Sequence, residues 1–483
     1  MTTFQPPRPR PELSRGARIV AACLSCVLVT GCIHYQPRPI TAEATLDDFE
    51  ARRLDAPEIR QFLHDQVGVD QWPPPFWDLQ SLTLAALYYS PDLDVARARW
   101  GVIQAGTMTA GAHPNPSLNP SLGYNSTSEL IRPWIPEVVL GLPIETAGKR
   151  GIRIAEAQTL SEAARLDVLH AAWIARSRLR RAFVDLYRAQ AMETALLHLH
   201  ELQVQSLDVL EAQLAVGAIS ANELTLTRIA TGRTRLAALE AAREREQARV
   251  ELAAALGIPT TALEGIEISF DELERLTTDV PTDEMRREAV VHRADILSAL
   301  AEYESTQAAL QLEIAKQYPD IDIGAGYQLD QIDNKWTLGL NLVLPIFNRN
   351  RGPIAEAEAR RAEAAARFLA LQSRVLAEVD SATVSYRSAV ETVAAADEML
   401  IELGQREASA QTAYGLGATS KLDLLSAEIE IATGRVARLD ALVSAQRAAG
   451  DLENALQTPL DTTGWVLVTP ARTEGNAEAR DEE

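Results

Sequence analysis

Several segments of the chain alternate apolar and polar residues, which is the pattern of a half-buried β-strand. Residues 320–330 place isoleucine, alanine, tyrosine and leucine at alternate positions, with aspartate, glycine and glutamine between them. Residues 336–345 return with the same alternation. A weaker pair of the same kind covers about 116–126 and 134–143. The pattern predicts two β-hairpins, each with one apolar and one polar face.

After each strand pair the sequence changes to a helical composition. Neither Ile144–Ile258 nor Ile354–Thr458 contains a proline, and Ala, Leu, Glu and Arg dominate both stretches. Gly217 and Gly417 interrupt the two stretches, so we expect each to fold as a helical hairpin. The roughly 65 residues before Gly217 would span about 100 Å as a helix. Such helices are far longer than a globular domain requires.

The second helical stretch also carries apolar residues in alternating steps of three and four. This heptad spacing keeps one seam facing a partner helix and predicts coiled-coil packing. A compact helical bundle is the alternative, but it would need more chain breaks than the sequence offers. The heptad residues are Leu422, Leu425, Ile429, Ala432, Val436, Leu439 and Val443.

The strand and helix patterns occur twice in the same order. Pro116–Tyr124 recurs as Pro319–Tyr327, and the motif Leu-Pro-Ile at residues 142–144 recurs at 344–346. The glycine-centred turn at Gly217 recurs at Gly417 in the same way. The sequence therefore predicts a duplicated unit. We place its first copy at 77–283 and its second at 284–460.

Strands of about ten residues with one apolar face match tilted strands that cross a membrane. Tyr124, Trp134, Tyr327 and Trp336 would then be aromatic residues at the membrane interface. A soluble sandwich is the alternative, but it needs a hydrophobic partner for each apolar face. Four strands cannot close a barrel, and an open sheet edge is not tolerated in lipid. Three chains would supply twelve strands, so we expect a homotrimer in contact with outer-membrane lipids.

The beginning of the chain has the features of an exported lipoprotein. Residues 1–31 read as a signal peptide, with arginines before a short apolar stretch that ends in Val29-Thr30-Gly31. Cys32 follows as the predicted lipid attachment site, although an ordinary signal cleaved elsewhere would also fit. We expect 32–76 to be an extended, lipid-anchored segment. The acidic stretch 461–483 is predicted to be disordered.

Composition excludes several functions. The formal net charge of −21 disfavours nucleic acid as a partner. The seven histidines are scattered, and neither they nor the five methionines form a metal-binding pattern. No nucleophile or phosphate-binding motif is present. We therefore expect no enzyme activity, no metal site and no cofactor apart from a covalent lipid on Cys32.

With these features the chain resembles the TolC-like outer-membrane efflux proteins, from about Trp77 to Pro459. The segment Leu344–Gly352, which leaves the second β-hairpin, is similar to the metal-efflux branch of that family. The resemblance implies a mainly α-helical fold with a small β part. It also implies a twelve-stranded outer-membrane barrel, formed by three chains and continuous with a periplasmic coiled-coil α-barrel. The implied partners are a periplasmic adaptor and an inner-membrane pump, usually of the resistance-nodulation-division type.

The resemblance assigns roles to the two helical turns. Asp423 and Glu223 match acids that face the narrow periplasmic aperture, although each also fits a helix-capping pattern with the serine three residues before it. Glycine at each turn is equally what a helix end demands. Ser426 stands where some relatives carry a second acid. The predicted adaptor-docking residues are Val216, Gly217, Ala218, Ser220, Leu416, Gly417, Ala418 and Ser420.

The sequence favours a passive exit duct of a tripartite efflux system, for heavy metals or for drugs. An exit duct for type I protein secretion, which uses the same fold, is one alternative. A periplasmic coiled-coil adaptor without a pore is another, although the alternating strands argue against it. The transported substrate is not encoded in these patterns, and metal ions follow from the resemblance alone.

Overall fold

The structure is a computed structural model, and it describes most of the chain. Cys32, the predicted signal peptide and the predicted tail lie outside the described residues. The chain divides into two units, one ending at Ala51 and one beginning at Arg52. The described residues are 35–67, 72–126, 133–277 and 283–460.

The described part of the first unit contains one helix, α1 (Ala42–Glu50). It begins at Thr41, whose hydroxyl accepts a hydrogen bond from the N–H of Ala44 at 3.3 Å. This contact satisfies one of the backbone donors that a helix start leaves unpaired. A short polar helix therefore starts at a residue whose side chain favours it.

The second unit contains the duplicated architecture. Each copy consists of two consecutive helices, a β-hairpin and a long helical hairpin, and this confirms the predicted duplication and fold class. The helices before each β-hairpin were not predicted. The elements are α2 (Pro57–Val67), α3 (Leu79–Tyr89), α4 (Pro91–Gly111), β1 (Ser117–Tyr124), β2 (Trp134–Ile144), α5 (Lys149–Ala215), α6 (Ala221–Leu256), α7 (Asp283–His292), α8 (Ala294–Ala315), β3 (Ile321–Asp330), β4 (Asp333–Leu342), α9 (Arg351–Gly415) and α10 (Lys421–Leu456).

The helical hairpins have the predicted dimensions. α5 has 67 residues and α9 has 65, so each extends about 100 Å at 1.5 Å per residue. α10 packs along α5 as well as along α9, and its heptad residues are buried or half-buried. Leu425 and Ala432 of α10, for example, pack against Leu199 and Leu202 of α5. No helix among the described residues is both long and apolar enough to cross a bilayer.

The prediction that residues 32–76 are extended is wrong for much of that range, since α1 and α2 are helical. In α2, Ile59 and Leu63 are four residues apart and therefore lie on one helix face. Both side chains are fully buried in a core that includes Leu82 of α3. The burial of this pair stabilises a helix too short for its period to stand out in the sequence.

The four strands form one antiparallel sheet in the order β1-β2-β3-β4. The first three lie within two residues of their predicted ends. β4 was predicted at 336–345 but begins at Asp333 and ends at Leu342. It starts earlier because a two-residue turn follows β3, with Gln331 at a φ of 63° as tight hairpins require. It ends earlier because β3 begins at Ile321, which pairs with Leu342.

A buried cluster of charged side chains joins α5 to α10. Arg176 donates a hydrogen bond to Glu453 at 2.8 Å, and Arg180 lies 3.2 Å from the same carboxylate. Arg180 also donates to the carbonyl of Gln446 at 2.6 Å. Burial lowers the pKa of Arg180, but an arginine this close to Glu453 remains charged. Gly450 makes the approach possible, since a Cβ there would lie 2.6 Å from the Arg180 guanidinium.

We predict that Glu453→Gln destabilises the folded chain by about 3–5 kcal/mol, because it removes the charge of the carboxylate that two buried guanidinium groups contact. Asp451→Asn is the matched control, since Asp451 pairs with Arg181 on the surface of the same two helices. An exposed pair of this kind contributes about 0–1 kcal/mol. Denaturant unfolding followed by helical circular dichroism measures both variants. Equal stabilities of the two variants would contradict the assignment.

Candidate channel-forming sheet and helical tips

The strand register gathers apolar side chains on one face of the sheet. Residues directly opposite each other in an antiparallel pair share a face. Ala325 of β3 lies opposite both Leu140 of β2 and Leu338 of β4, and Leu118 of β1 lies opposite Leu140. The Leu338 side chain is 82% exposed. The described residues of the chain thus leave a broad apolar sheet face uncovered.

The four predicted interface aromatics form two equivalent pairs. Tyr124 lies opposite Trp134, with ring centroids 4.8 Å apart, and Tyr327 lies opposite Trp336 at 4.9 Å. Each pair joins the two strands of one hairpin and lies on the apolar face. The structure thereby brings together the residues that the sequence singled out. Aromatic pairs at this position suit the boundary between lipid and water.

The opposite face of the sheet is polar and negatively charged. It carries Glu137 from β2 and Asp322 from β3, and Glu137 accepts a hydrogen bond from Ser121 at 3.1 Å. Lys335 of β4 forms an ion pair with Asp330 on this face. The sequence analysis did not single out Glu137. Glu137 lies three positions after Trp134, and successive side chains of a strand point to opposite faces, so the sequence alone would have placed it on the polar face.

Where the sheet meets the long helices, a buried lysine joins the two repeats. Lys149, at the start of α5, donates hydrogen bonds to the Tyr318 carbonyl at 2.6 Å and to Asp320 at 2.8 Å. Asp320 also accepts the backbone N–H of Thr146 at 2.9 Å. Burial alone would raise the pKa of Asp320, but these hydrogen bonds outweigh burial and lower it. The junction was not predicted, because its partners lie far apart in the sequence.

The two helical turns have the same backbone structure. Gly217 and Gly417 adopt φ values of 74° and 70°, which favour glycine. Ala218 donates to the carbonyl of Gln213 at 2.9 Å, and Ala418 donates in the same way to that of Ala413 at 2.8 Å. Both turns are therefore helix ends of the Schellman type.

Each turn presents an apolar side chain to solvent. Val216 is 80% exposed and Leu416 is 81% exposed, and each immediately precedes the turn glycine. Helix-end geometry explains the glycines but not these exposed aliphatic residues, since the turn requires no apolar residue there. They are the features of the tips that a binding partner would use.

Of the two predicted aperture residues, Asp423 caps the helix that follows its turn, whereas Glu223 contributes only its backbone N–H to the cap made by Ser220. The Ser420 hydroxyl accepts the N–H of Asp423 at 3.1 Å, and the Asp423 carboxylate accepts the N–H of Ser420 at 3.1 Å. Ser220 accepts the N–H of Glu223 at a longer 3.4 Å. Hydrogen bonds from Ser420 and Thr419 lower the pKa of Asp423. Asp423 is therefore ionised at neutral pH, and its capping contribution, complete above the usual aspartate pKa, is lost as the pH falls.

The described residues contain no cluster of three or more histidine, cysteine or acidic side chains that could hold a metal ion. The candidate sites are surfaces: an apolar sheet face, a polar sheet face and two helical tips. A sheet with one face suited to lipid and one to water, joined to helices about 100 Å long, defines a subunit of an outer-membrane channel.

Residues 83–258 and 285–457 match the family model described as outer membrane efflux protein, and the chain belongs to this family. The two matched segments fall in the two structural repeats. The predicted family and the predicted role as an outer-membrane efflux duct are confirmed. The family is one of efflux channels, which places the chain among transport proteins.

Two curated proteins illustrate the relationship. The chain is 24% identical to the cobalt-zinc-cadmium resistance protein CzcC of Cupriavidus metallidurans, over 76% of this chain and 86% of that protein. It is 26% identical to the pyoverdine export outer membrane protein OpmQ of Pseudomonas aeruginosa, over 68% of this chain and 73% of that protein.

Solved structures share the fold. The outer membrane protein VceC of Vibrio cholerae aligns with a TM-score of 0.64 and 20% identity, covering 79% of this chain and 97% of VceC. CusC aligns with a TM-score of 0.63 and 20% identity, covering 81% of this chain and 96% of CusC. Both likenesses support the arrangement of helices and strands described above.

We predict that Gly417→Ala destabilises the turn of the second tip. Gly417 has a positive φ, and alanine in this left-handed region costs about 1–2 kcal/mol. The Ala418 amide, which closes the turn, should then exchange its hydrogen about fivefold faster or more in exchange measurements. Gly415→Ala is the matched control, since both glycines face open space and Gly415 has no positive φ. Equal exchange in the two variants would show that φ does not dictate glycine at 417.

Proposed function

We propose that three copies of this chain form one efflux duct, with a twelve-stranded barrel in the outer membrane and a coiled-coil helical barrel in the periplasm. The observation that carries the proposal is the apolar face of the sheet. The side chains of Leu338 and Leu340 are 82% and 69% exposed. Each Å² of apolar surface that stays in water costs about 25 cal/mol of free energy relative to burial. Lipid around a closed barrel would remove this cost.

The sheet edges support the number of copies. β1 and β4 are the two outer strands of the sheet in the described chain, and each has one neighbour. Unpaired edge groups are not tolerated inside a bilayer, so the edges require further strands. Copies joined edge to edge would satisfy them, and three copies give the twelve strands that the family resemblance implies.

Cys32 is proposed to anchor each chain to the membrane through a covalent lipid. Its support is the sequence Val29-Thr30-Gly31-Cys32, in which small residues precede the cysteine. Cys32→Ser should remove radiolabelled palmitate from the chain, and retained label would contradict this assignment.

The substrate is proposed to be a divalent metal cation. CzcC is named for resistance to cobalt, zinc and cadmium, and this chain covers 86% of its length. The polar sheet face carries Glu137 and Asp322, which would attract cations into the barrel of a trimer. The relative OpmQ is named for pyoverdine export, so export of pyoverdine or a similar compound is the second candidate.

We predict that deletion of the gene lowers the concentrations of zinc, cobalt and cadmium that the cells tolerate, because the pump would lose its exit. Growth on each metal with and without a plasmid-borne copy measures this. Loss of pyoverdine secretion with unchanged metal tolerance would support the second candidate. Secretion of an unfolded protein through the duct would instead support the type I secretion alternative.

Asp423 and Glu223 are proposed to line the periplasmic aperture. In a trimer, three copies of each acid would surround one axis, where they would repel each other and attract cations. The lowered pKa of Asp423 supports a charged ring at neutral pH. The capping bonds of Asp423 hold its carboxylate at the start of α10, so capping and aperture roles are compatible.

We predict that Asp423→Asn lowers the cation-to-anion permeability ratio of the reconstituted channel by at least about twofold, because three charges leave the aperture. Ser420→Ala is the control. It removes the hydroxyl that caps the Asp423 N–H but keeps the charge, so it should leave selectivity unchanged. If both variants shift the reversal potential equally, Asp423 acts as a helix cap alone.

The two tips, represented by Val216 and Leu416, are proposed to dock the periplasmic adaptor. We predict that Val216→Asp combined with Leu416→Asp abolishes cross-linking to the adaptor produced together with this chain. The swap Val216→Leu with Leu416→Val keeps the apolar surface and should retain cross-linking. Loss of the trimer itself in the aspartate variant would favour a structural role for the tips, and retained cross-linking would contradict docking.

A further inference from the structure

A cleft of about 620 Å³ lies on the first helical hairpin, between α5, α6 and the segment 263–270 that follows α6. Clefts of about 300–1,000 Å³ commonly hold small organic molecules. At 1.5 Å per residue, the cleft lies about 45 Å along α6 from the turn at Gly217. It is therefore separate from the helical tips and from the sheet. The polar side chains that line it are Gln190, Glu193, Thr194, Arg245 and Arg249.

The second repeat has no need of the two arginines at the corresponding positions. α6 and α10 each have 36 residues and follow equivalent turns, so α6 residues correspond to those 200 positions later in α10. Arg245 and Arg249 therefore correspond to Ala445 and Ala449. Ala445 is fully buried, Ala449 is 5% exposed, and both belong to one hydrophobic core. The helical hairpin packs with alanine at both positions, so its fold does not require arginine there.

α5 differs from α9 in the same way. Counted back from the two turn glycines, Gln190 and Glu193 correspond to Val390 and Val393. Val393 is buried in the same core as the two alanines of α10, and Val390 packs against that core. The first repeat thus carries polar side chains on both helices where the second repeat has a packed apolar core. A cleft has replaced the core in one repeat only.

The two arginines of the cleft differ in their contacts. Arg245 donates hydrogen bonds to Glu193 at 2.7 Å and to Glu246 at 2.8 Å. Arg249 is half-buried, and within the described part of the chain it has neither a hydrogen bond nor an ion pair. Burial removes part of the hydration of its guanidinium, and no carboxylate of the chain replaces it. An anion that enters the cleft can supply the missing acceptor.

The wall that segment 263–270 contributes is apolar and is held in place by the fold. Phe270 packs against Phe183, with ring centroids 4.8 Å apart. The N–H of Trp77 donates to the carbonyl of Glu267 at 2.8 Å, and the N–H of Ser269 donates to the carbonyl of Trp77 at 2.9 Å. These contacts fix the apolar wall in the unliganded chain. A ligand would therefore bind with little cost for ordering this segment.

We propose that this cleft binds an organic carboxylate, with its carboxylate group on the Arg249 guanidinium and its apolar part on Phe270. A planar guanidinium can donate two parallel hydrogen bonds to one carboxylate. The apolar wall favours an anion with a hydrocarbon or aromatic group over an inorganic anion such as phosphate. Glu193 stays paired with Arg245, so it does not neutralise Arg249. Both a free acid and the carboxyl end of a peptide have this chemistry.

The test uses the full-length chain purified in detergent and two probes that differ in one charge. N-acetylphenylalanine carries a carboxylate and an aromatic ring, and N-acetylphenylalaninamide is its neutral counterpart. Ligand-detected NMR titration measures both. The acid should bind with a Kd of about 1 mM or lower, as expected for a ligand of this size. The amide should bind at least about tenfold more weakly, because it cannot form the charge-assisted pair.

Arg249→Met should weaken binding of the acid at least about tenfold, because it keeps an unbranched apolar side chain but removes the charge. Arg249→Ala introduces the residue of the second repeat, so it should fold and lose binding in the same way. Arg235→Met is the matched control, since Arg235 is an exposed residue of α6 outside the cleft. It should leave the Kd unchanged. Unchanged binding by Arg249→Met would overturn the proposal, since the arginine would then only cover apolar surface.

A short peptide that ends in phenylalanine, with a free or an amidated carboxyl end, distinguishes the two sources of the carboxylate. Binding of the free peptide as well as the acid would support recognition of a chain end. Binding of N-acetylphenylalanine alone would support a small free acid. If neither carboxylate binds to protein that still forms conducting channels, the inference is refuted and the proposed duct is unaffected.

Discussion

The structure depends on one constraint: a four-stranded sheet with an apolar face and two open edges is not stable by itself in water or in lipid. The face needs an apolar environment, and the edges need hydrogen-bond partners. Both requirements are met together when copies join edge to edge and lipid surrounds the closed sheet. The membrane location and the proposed joining of copies follow from this requirement, and the proposed number of three copies rests on the family resemblance.

The remaining features position that sheet on its helical support. Lys149 and Asp320 hold the two repeats together at the point where strands become helices. Deeper in the helical region, Glu453 between Arg176 and Arg180 fixes α10 against α5. The first contact joins two segments at the sheet junction, and the second fixes the relative position of two long helices.

Much of this architecture could be predicted from the sequence, because it rests on long periodic patterns. Alternation identified the strands, and the absence of proline with a single glycine identified each helical hairpin. The contacts that depend on tertiary structure could not be predicted. α2 is a helix because Ile59 and Leu63 are buried, and β4 ends at Leu342 because β3 begins at the residue opposite, Ile321. Lys149 meets Asp320 only after the chain has folded.

The helical tips illustrate the same distinction at residue level. The sequence predicted both turns and the capping of α10 by Ser420 and Asp423, since these are local patterns with a known geometry. The role of Asp423 in an aperture depends on a symmetry axis that one chain does not contain. The exposure of Val216 and Leu416 became visible only in the folded chain. The partner that would contact them belongs to an assembly of several chains.

The central claim is that one chain supplies a third of a closed barrel. Native mass spectrometry of the detergent-purified protein, released from micelles, tests it most directly. The account predicts a single assembly of three chains, which should also form ion-conducting pores when reconstituted in bilayers. A stable monomer as the main species, or trimers that do not conduct, would contradict the account.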